Sequence, residues 1–315
     1  MKEVQTMAYK NNAKLGFVGF TYPAPKGLSR FEATKWLMEE THKMGCELMG
    51  LFTMGMQPNE IEELEALYKQ YGFDGSEGFM PRFIFELAGF QGADPVKAKE
   101  SFEAHLESSK AQGKKILRSG YNTFLKLKYS RWNLDRGWTG EEQLENLQKC
   151  FEIAYPLLAK YDLSFAMENH LDFAAHEVTE VFESIPGNVE KKRIGFAYDT
   201  ANTLFNNLDP AEDLEYMPQW ALTTHIKDSK IAPNPFNGPN GPLTPVGCAL
   251  GEGNCNVKKA LDLILEKSPN RDGIHLILET GWFGKAVHDV EPDMDEYNRM
   301  ILRKSLAWLK DYLTV

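Results

Sequence analysis

The chain has 315 residues, of which 43% are hydrophobic and 25% are charged, and its formal net charge is −10 with a pI near 5.3. This is the composition of an average soluble globular protein, and the length suits one α/β barrel without requiring a second domain. The acidic balance argues against a protein that binds the phosphate backbone of nucleic acids.

Short apolar runs alternate along the chain with longer segments of helical periodicity. The predicted strands are residues 14–20, 46–52, 82–88, 114–120, 163–169, 193–199, 223–228 and 274–280. The predicted helices are residues 30–44, 57–71, 95–112, 140–161, 175–185, 210–220, 256–268 and 296–313. Near-continuous apolar runs are typical of strands buried on both faces of a parallel sheet. Eight strand–helix units in sequence therefore predict an α/β fold, a single (β/α)8 TIM barrel that spans residues 1–315 as one domain.

Two connections are longer than the rest, residues 119–139 and residues 229–250. Both follow predicted strand ends, and long connections of this kind are usually lids or binding loops. The four cysteines (Cys46, Cys150, Cys248 and Cys255) show neither a disulfide framework nor zinc-ligand spacing. The first 15 residues lack a secretory apolar region, and no run approaches the roughly 20 apolar residues of a membrane span. A cytoplasmic protein without a membrane partner is expected.

Four predicted strands end in residues that can ligate a metal: Glu168, Asp199, His225 and Glu279. The carboxyl ends of barrel strands converge on one pocket, so these side chains are expected to meet. Taken singly, each has an ordinary alternative as a helix cap, a salt-bridge partner or a core histidine. Together they form a buried acidic cluster that is costly without a cation. Their oxygen-rich shell favours one divalent ion, Mn²⁺ first and Mg²⁺ or Co²⁺ as alternatives, over a structural zinc.

The phrases AMENH (166–170), AYDTAN (197–202), HIKD (225–228), ALGEGN (249–254) and ILET (277–280) occur in this order. On these phrases the chain resembles the xylose isomerase-like TIM-barrel superfamily, a group of sugar isomerases, epimerases and endonuclease IV-type enzymes. The resemblance implies that the four residues above are the metal shell. It also implies that Glu168 and Glu279 are the catalytic residues, which exchange protons with carbon from opposite sides of a bound sugar.

Several further residues are predicted to belong to the site. His170 is expected on the same face of the extended chain as Glu168. It could act as a second acid/base, bind a substrate hydroxyl, or make a structural hydrogen bond. Asn202 stands where the epimerases and the endonuclease often have histidine, which argues against a three-metal nuclease. The arginine that ketose 3-epimerases carry after the histidine of the seventh strand has no clear counterpart here, and the nearest cations are Lys227 and Lys230. The residues predicted to contact substrate are Asn202, Lys227, Glu252 and Trp282.

The leading hypothesis is a metal-dependent isomerase or epimerase that removes a proton alpha to the carbonyl of a sugar or keto-sugar. A lyase is the alternative, because dehydroshikimate dehydratases and the catalytic subunits of C-glycoside deglycosidases share this barrel and shell. The long, aromatic connections would suit an aglycone. The expected partner is a small carbohydrate or glycoside. A homo-oligomer and a hetero-oligomer with a small subunit both remain open.

Overall fold

The computed structural model of the chain describes residues 9–51, 53, 55–121, 139–170, 172–206, 208–233, 243–281 and 293–314. Within these ranges seven strands form one sheet in the order β1-β9-β6-β5-β4-β3-β2, and β7 pairs with β8. The strands are β1 Lys14–Phe17, β2 Glu77–Phe79, β3 Ile116–Gly120, β4 Ser164–Glu168, β5 Ile194–Asp199, β6 Ala221–Ile226, β7 Asp228–Pro233, β8 Leu243–Cys248 and β9 His275–Leu278.

Helices follow most of the strands of the seven-stranded sheet. They are α1 Arg30–Lys43, α2 Pro58–Tyr71, α3 Phe83–Glu86, α4 Pro95–Ala111, α5 Gly140–Tyr161, α6 Ala175–Ser184, α7 Asn188–Lys191, α8 Asn202–Phe205, α9 Pro210–Tyr216, α10 Val257–Lys267 and α11 Met294–Leu313. Their starts follow from local chemistry: Ser29 and Thr139 form capping boxes, and the Asp94 side chain accepts from two backbone N–H groups of α4. No helix in the described ranges is long and apolar enough to cross a membrane.

The described chain falls into two compact units. One unit comprises residues 9–75, 225–257 and 272–314, and the other comprises residues 76–224 and 258–271. The first has a core of Met38, Met49, Leu64 and Phe73, and the second has a cluster of Ile116, Ala166, Ala197 and Leu222. The prediction of one domain over residues 1–315 stays a prediction.

The alternation of side chains on β4 and β5 decides which residues face the helices. Phe165 of β4 packs against Phe151 of α5, and Phe196 of β5 packs against Phe182 of α6. Because successive side chains of a strand point to opposite faces, Ala166 and Glu168, with Ala197 and Asp199, share the other face. The parallel register, in which Ala166 pairs with Gly195 and Glu168 with Ala197, keeps the two strands in phase.

Three sequence predictions were wrong in detail. Residues 82–88 do not form a strand, because Phe83–Glu86 is a short helix that Gly89 follows at φ 77°, and the strand here is Glu77–Phe79. A short apolar run does not distinguish a buried strand from a buried helix turn. The predicted strand 46–52 is reduced to Leu48, which forms single parallel bridges to Gly16 and Asp74.

The third correction concerns the predicted loop at residues 229–250. Its two ends form an antiparallel ribbon in which Asp228 pairs with Cys248 and Pro233 with Leu243. Both strands of a two-stranded ribbon are edges, so prolines such as Pro233 and Pro245 are tolerated there. Residues 234–242 lie outside the described ranges, as do residues 122–138 of the other long connection.

We expect Gly16→Ala to lower the free energy of unfolding by about 1–3 kcal/mol, as an overpacking substitution. A Cβ atom at Gly16 would lie 2.5 Å from both the Cβ and the backbone oxygen of Leu48, so backbone must shift. Urea unfolding followed by circular dichroism measures the change. Gly50→Ala is the matched control, since nothing lies within 4 Å of its added carbon. Equal stability of the two variants would contradict this account of the close approach.

Candidate metal centre

Two of the predicted ligands end neighbouring parallel strands. Glu168 is the last residue of β4 and Asp199 is the last residue of β5. Both residues are buried, with 5% and 0% of their surface exposed. Strand pairing places both on the face that carries Ala166 and Ala197. The two alanines pack there with Ile116 and Leu222 as a buried cluster.

The other two predicted ligands come from β6 and β9. His225 lies in β6, and Glu279 follows β9 directly, with its backbone N–H donating to Ile226 O at 3.1 Å. Both residues are buried, with 3% and 5% of their surface exposed. His225 Nδ1 lies 3.0 Å from Glu279 Oε2, so the imidazole and the carboxylate are in direct contact.

The structure brings the four predicted ligands together. Each of Glu168, Asp199, His225 and Glu279 offers one ligand atom, and these atoms all lie within 4.8 Å of one another. Three carboxylate oxygens and one imidazole nitrogen at this spacing form a buried group that could hold a metal ion. The donor set is hard and mostly oxygen, which suits a divalent cation of the Mg²⁺, Mn²⁺ or Co²⁺ type.

Each carboxylate on the β4–β5 side is held by specific donors. Arg118 Nη1 lies 3.4 Å from Glu168 Oε2, and Asn202 Nδ2 lies 3.4 Å from Glu168 Oε1. Asp199 Oδ1 accepts from the backbone N–H groups of Ala201 and Asn202 at 2.9 and 3.0 Å. Asn169 completes this side, since its amide donates to Asp199 O at 2.9 Å and accepts from Asp199 N at 2.7 Å. These bonds fix the positions of both strand ends.

Lys227 provides the cation for the remaining carboxylate. Its Nζ donates to Glu279 Oε2 at 3.2 Å, and only 5% of the residue is exposed. Glu77 lies 2.9 Å from Arg118 as well, so this arginine is shared by two carboxylates. Several carboxylates buried close together are costly without a cation, and three carboxylates with one imidazole are the donors that a divalent ion takes. The residues present therefore fit the ion that the sequence predicts.

A family model described as a xylose isomerase-like TIM barrel matches residues 38–312, most of the chain. The chain belongs to this family. No curated protein matches its sequence. Membership confirms the predicted α/β fold, a TIM barrel, and it agrees with the parallel sheet and its helices.

Solved structures of the same fold cover nearly the whole chain. One is a xylose isomerase-like TIM barrel protein from Mycobacterium smegmatis in complex with magnesium (14% identity, TM-score 0.58, covering 97% of this chain and 100% of that one). Another is D-psicose 3-epimerase from Clostridium cellulolyticum H10 with D-tagatose (13%, 0.60, 95% and 98%). A third is the probable 3-DHS dehydratase AsbF from Bacillus anthracis, involved in petrobactin synthesis (15%, 0.56, 95% and 98%). At these identities the likeness shows the fold alone.

The other site residues predicted for this chain do not all lie at the four-residue group. Asn202 and Lys227 contact Glu168 and Glu279, as described above. His170 follows β4 half-buried, and its Nδ1 atom is buried with no hydrogen-bond partner within the described ranges. Glu252 is exposed and pairs with Lys304 of α11. Trp282 lies outside the described residues.

The two glycines that flank Glu252 donate backbone hydrogen bonds to Asp228. The Asp228 carboxylate is buried and accepts from the backbone N–H groups of Gly251 and Gly253, each at 3.0 Å, and of Ser229 and Cys255 at 2.9 and 3.2 Å. A Cβ atom at Gly253 would lie 2.0 Å from Asp228 Oδ1. The motif is therefore a turn wrapped around a structural carboxylate, and α10 begins only at Val257.

Sequence analysis did not identify Arg118, Glu77 or Asn169. Arg118 left a signal, because it is a charged residue in the middle of a predicted strand, directly after Ile116 and Leu117. Asn169 left one too, directly after Glu168 at a strand end. Glu77 left none, since the strand that carries it was placed at residues 82–88.

Asp213 of α9 is a buried carboxylate close enough to Asp199 to be affected by its charge. The pKa of Asp213 is raised from 3.8 to about 7, chiefly by burial; the Thr203 hydroxyl lowers it and nearby carboxylates add to the rise. The folded-state pKa is thus above the unfolded value. Folded protein then keeps a proton that the unfolded chain releases, so this residue's contribution to stability falls as pH rises from about 4 to 7.

We expect Asp213→Asn to remove this dependence. Relative to the unsubstituted protein, the free energy of unfolding of the variant should improve by up to about 4 kcal/mol between pH 4 and pH 8, from about 1.4 kcal/mol per pKa unit. Urea unfolding at a series of pH values measures it, with the exposed Asp311→Asn as control. If both variants follow the unsubstituted protein at every pH, Asp213 is not the buried proton-holding group.

Proposed function

We propose that the chain is a divalent-metal-dependent enzyme that moves a proton at the carbon next to the carbonyl of a sugar or keto-sugar, as an isomerase or epimerase. The observation that carries this proposal is the pair Glu168 and Glu279, two buried glutamates whose ligand atoms belong to one group with Asp199 and His225. Glutamates poised by different cations can act as base and acid for one substrate.

Glu168, Asp199, His225 and Glu279 would hold the ion in this proposal. When bound, the ion supplies Lewis-acid polarisation of a substrate carbonyl, which makes the neighbouring C–H more acidic. Mn²⁺ is our first choice, with Mg²⁺ and Co²⁺ as alternatives. The magnesium complex of the Mycobacterium smegmatis relative supports a hard ion.

The chain's own residues would then carry the proton. Glu168, oriented by Arg118 and Asn202, removes the proton from the substrate carbon. Glu279 exchanges the second proton, and Lys227 at 3.2 Å stabilises its carboxylate form. His170, with its buried Nδ1 atom, is proposed to bind a substrate hydroxyl or to act as a second acid/base. Asn202, Lys227, Glu252 and Trp282 remain proposed contacts of the substrate.

The epimerase that shares the fold supports proton transfer at a sugar carbon, and the dehydratase that shares it shows why elimination must be tested. The alternative of a C-glycoside deglycosidase subunit also predicts elimination, so the same experiment tests it. The oligomeric state and the cytoplasmic setting stay predictions.

Proton NMR in D₂O with Mg²⁺, against a panel of ketoses and 3-keto glucosides, tests the reaction. We expect deuterium to enter the carbon next to the carbonyl while the sugar skeleton survives, and exchange to stop when EDTA removes the ion. Release of an aglycone or of water with formation of an enone would replace this proposal with the lyase. A titration of the ion alone first establishes that Mg²⁺ binds.

We expect Glu168→Gln to keep the fold and an oxygen ligand for the ion, yet to lower the exchange rate by about 10²–10⁴, the usual contribution of a general base. The amide cannot accept the substrate proton. Glu86→Gln is the control. Glu86 is a partly buried glutamate of α3 that pairs with Arg82 and is not one of the proposed ligands. Exchange at the unsubstituted rate in Glu168→Gln would rule out this residue as the base.

A further inference from the structure

Arg118 of β3 lies between two carboxylates. Its Nε donates to Glu77 Oε1 at 2.9 Å, and its Nη1 lies 3.4 Å from Glu168 Oε2. The first distance is that of a strong charge-assisted hydrogen bond, and the second is longer than such bonds normally are. Of these two contacts, the one with Glu77 is therefore the stronger.

Glu77 is itself fixed on both sides. Its second oxygen, Oε2, accepts from Thr223 Oγ1 at 2.6 Å. Its backbone carbonyl accepts from Lys114 Nζ at 3.2 Å, and its strand pairs with β3 in the register Glu77 with Ile116. A carboxylate with both oxygens engaged and its backbone in a sheet has little freedom to follow Arg118 if the guanidinium moves.

The same backbone would allow a different and stronger pair. In the β3–β4 register Arg118 pairs with Ala166 and Gly120 pairs with Glu168, so the strand partners of both side chains are small. Arginine binds a free carboxylate best through two parallel N–H bonds. A guanidinium released from Glu77 could use Nε and Nη1 together on Glu168, and that pair would compete with any cation for the carboxylate.

We propose that Glu77 is a positioning residue of the metal centre: by holding Arg118 Nε, it keeps the Glu168 carboxylate available to the ion. The inference rests on the metal site of the proposed function and adds a residue from β2, which contributes no ligand. Arg118 orients Glu168 from one side, and Glu77 limits how strongly it does so.

Titration of the protein with Mn²⁺ alone, with free Mn²⁺ followed by electron paramagnetic resonance, tests the proposal without substrate. We expect Glu77→Gln to weaken Mn²⁺ binding about 10-fold or more, the usual effect of losing a partner of a ligand. Two causes act in the same direction, because one negative charge is lost and Arg118 is freed to pair with Glu168. In an Arg118→Met background the same Glu77→Gln change should alter Mn²⁺ binding less than about 3-fold, because interacting residues are not additive.

Glu86→Gln is a matched control, because Arg82 Nε and Glu86 Oε1 are 3.0 Å apart and Glu86 is similarly buried, with 19% of its side chain exposed against 14% for Glu77. It should leave Mn²⁺ binding unchanged. Thr223→Val provides a second variant if Glu77→Gln does not fold, and it should weaken binding in the same direction but less.

The outcomes separate the two proposals. If the unsubstituted protein does not bind Mn²⁺, Mg²⁺ or Co²⁺, the metal centre itself is wrong, and this inference with it. If the protein binds the ion and Glu77→Gln leaves the affinity unchanged, only the role of Glu77 is overturned. An equal loss with and without Arg118 would likewise overturn it, since Glu77 would then act without the arginine.

Discussion

Carboxylates removed from water must be compensated by cations or hydrogen-bond donors, and this requirement organises the candidate site. Glu168 is met by Arg118 and Asn202, Glu279 by Lys227, and Asp199 by two backbone N–H groups. Glu77 adds a further carboxylate, which shares Arg118 with Glu168. A pair of buried ions is stabilising only when geometry and hydrogen bonding are complete. Four ligand atoms within 4.8 Å of one another, three of them carboxylate oxygens, set this group apart from ordinary salt bridges such as Arg82–Glu86.

The division of β4 and β5 into two faces separates the residues that pack on the helices from the carboxylates. Phe165 and Phe196 fill the face that packs on α5 and α6, and burial of such aromatic side chains contributes strongly to stability. Ala166 and Ala197 take the other face, where Glu168 and Asp199 end the strands. Large residues thus stabilise the sheet from the helix side, while the other side combines the two alanines with the polar strand ends. A single two-residue alternation serves both purposes.

The apolar runs of the sequence decide which parts of the site could be predicted from the sequence alone. Strand ends that carry Glu168, Asp199, His225 and Glu279 could be recognised because each follows an apolar run, and parallel strands bring their carboxyl ends together. The predicted helix bounds were also close to the observed ones, as at residues 140–161, because a capping box fixes where this helix starts. The third strand could not be recognised, since Glu77–Phe79 is short and polar whereas residues 82–88 are apolar and form a buried helical turn. With that strand misplaced, Glu77 and its bond to Arg118 were out of reach.

Asp228 shows why a buried acid beside a site is not by itself part of the chemistry. It lies three residues after His225, and all four of its hydrogen bonds described above come from backbone N–H groups of Ser229 and the turn around Glu252. Backbone donors of a folded turn are fixed in place, so a substrate or an ion cannot displace them without breaking the turn. Glu168 and Glu279 are instead compensated by side chains, which can shift when an ion binds. Asp199 is intermediate, since its Oδ1 takes two backbone donors while the residue still offers a ligand atom to the four-residue group. The kind of donor therefore distinguishes Asp228 from Glu168 and Glu279.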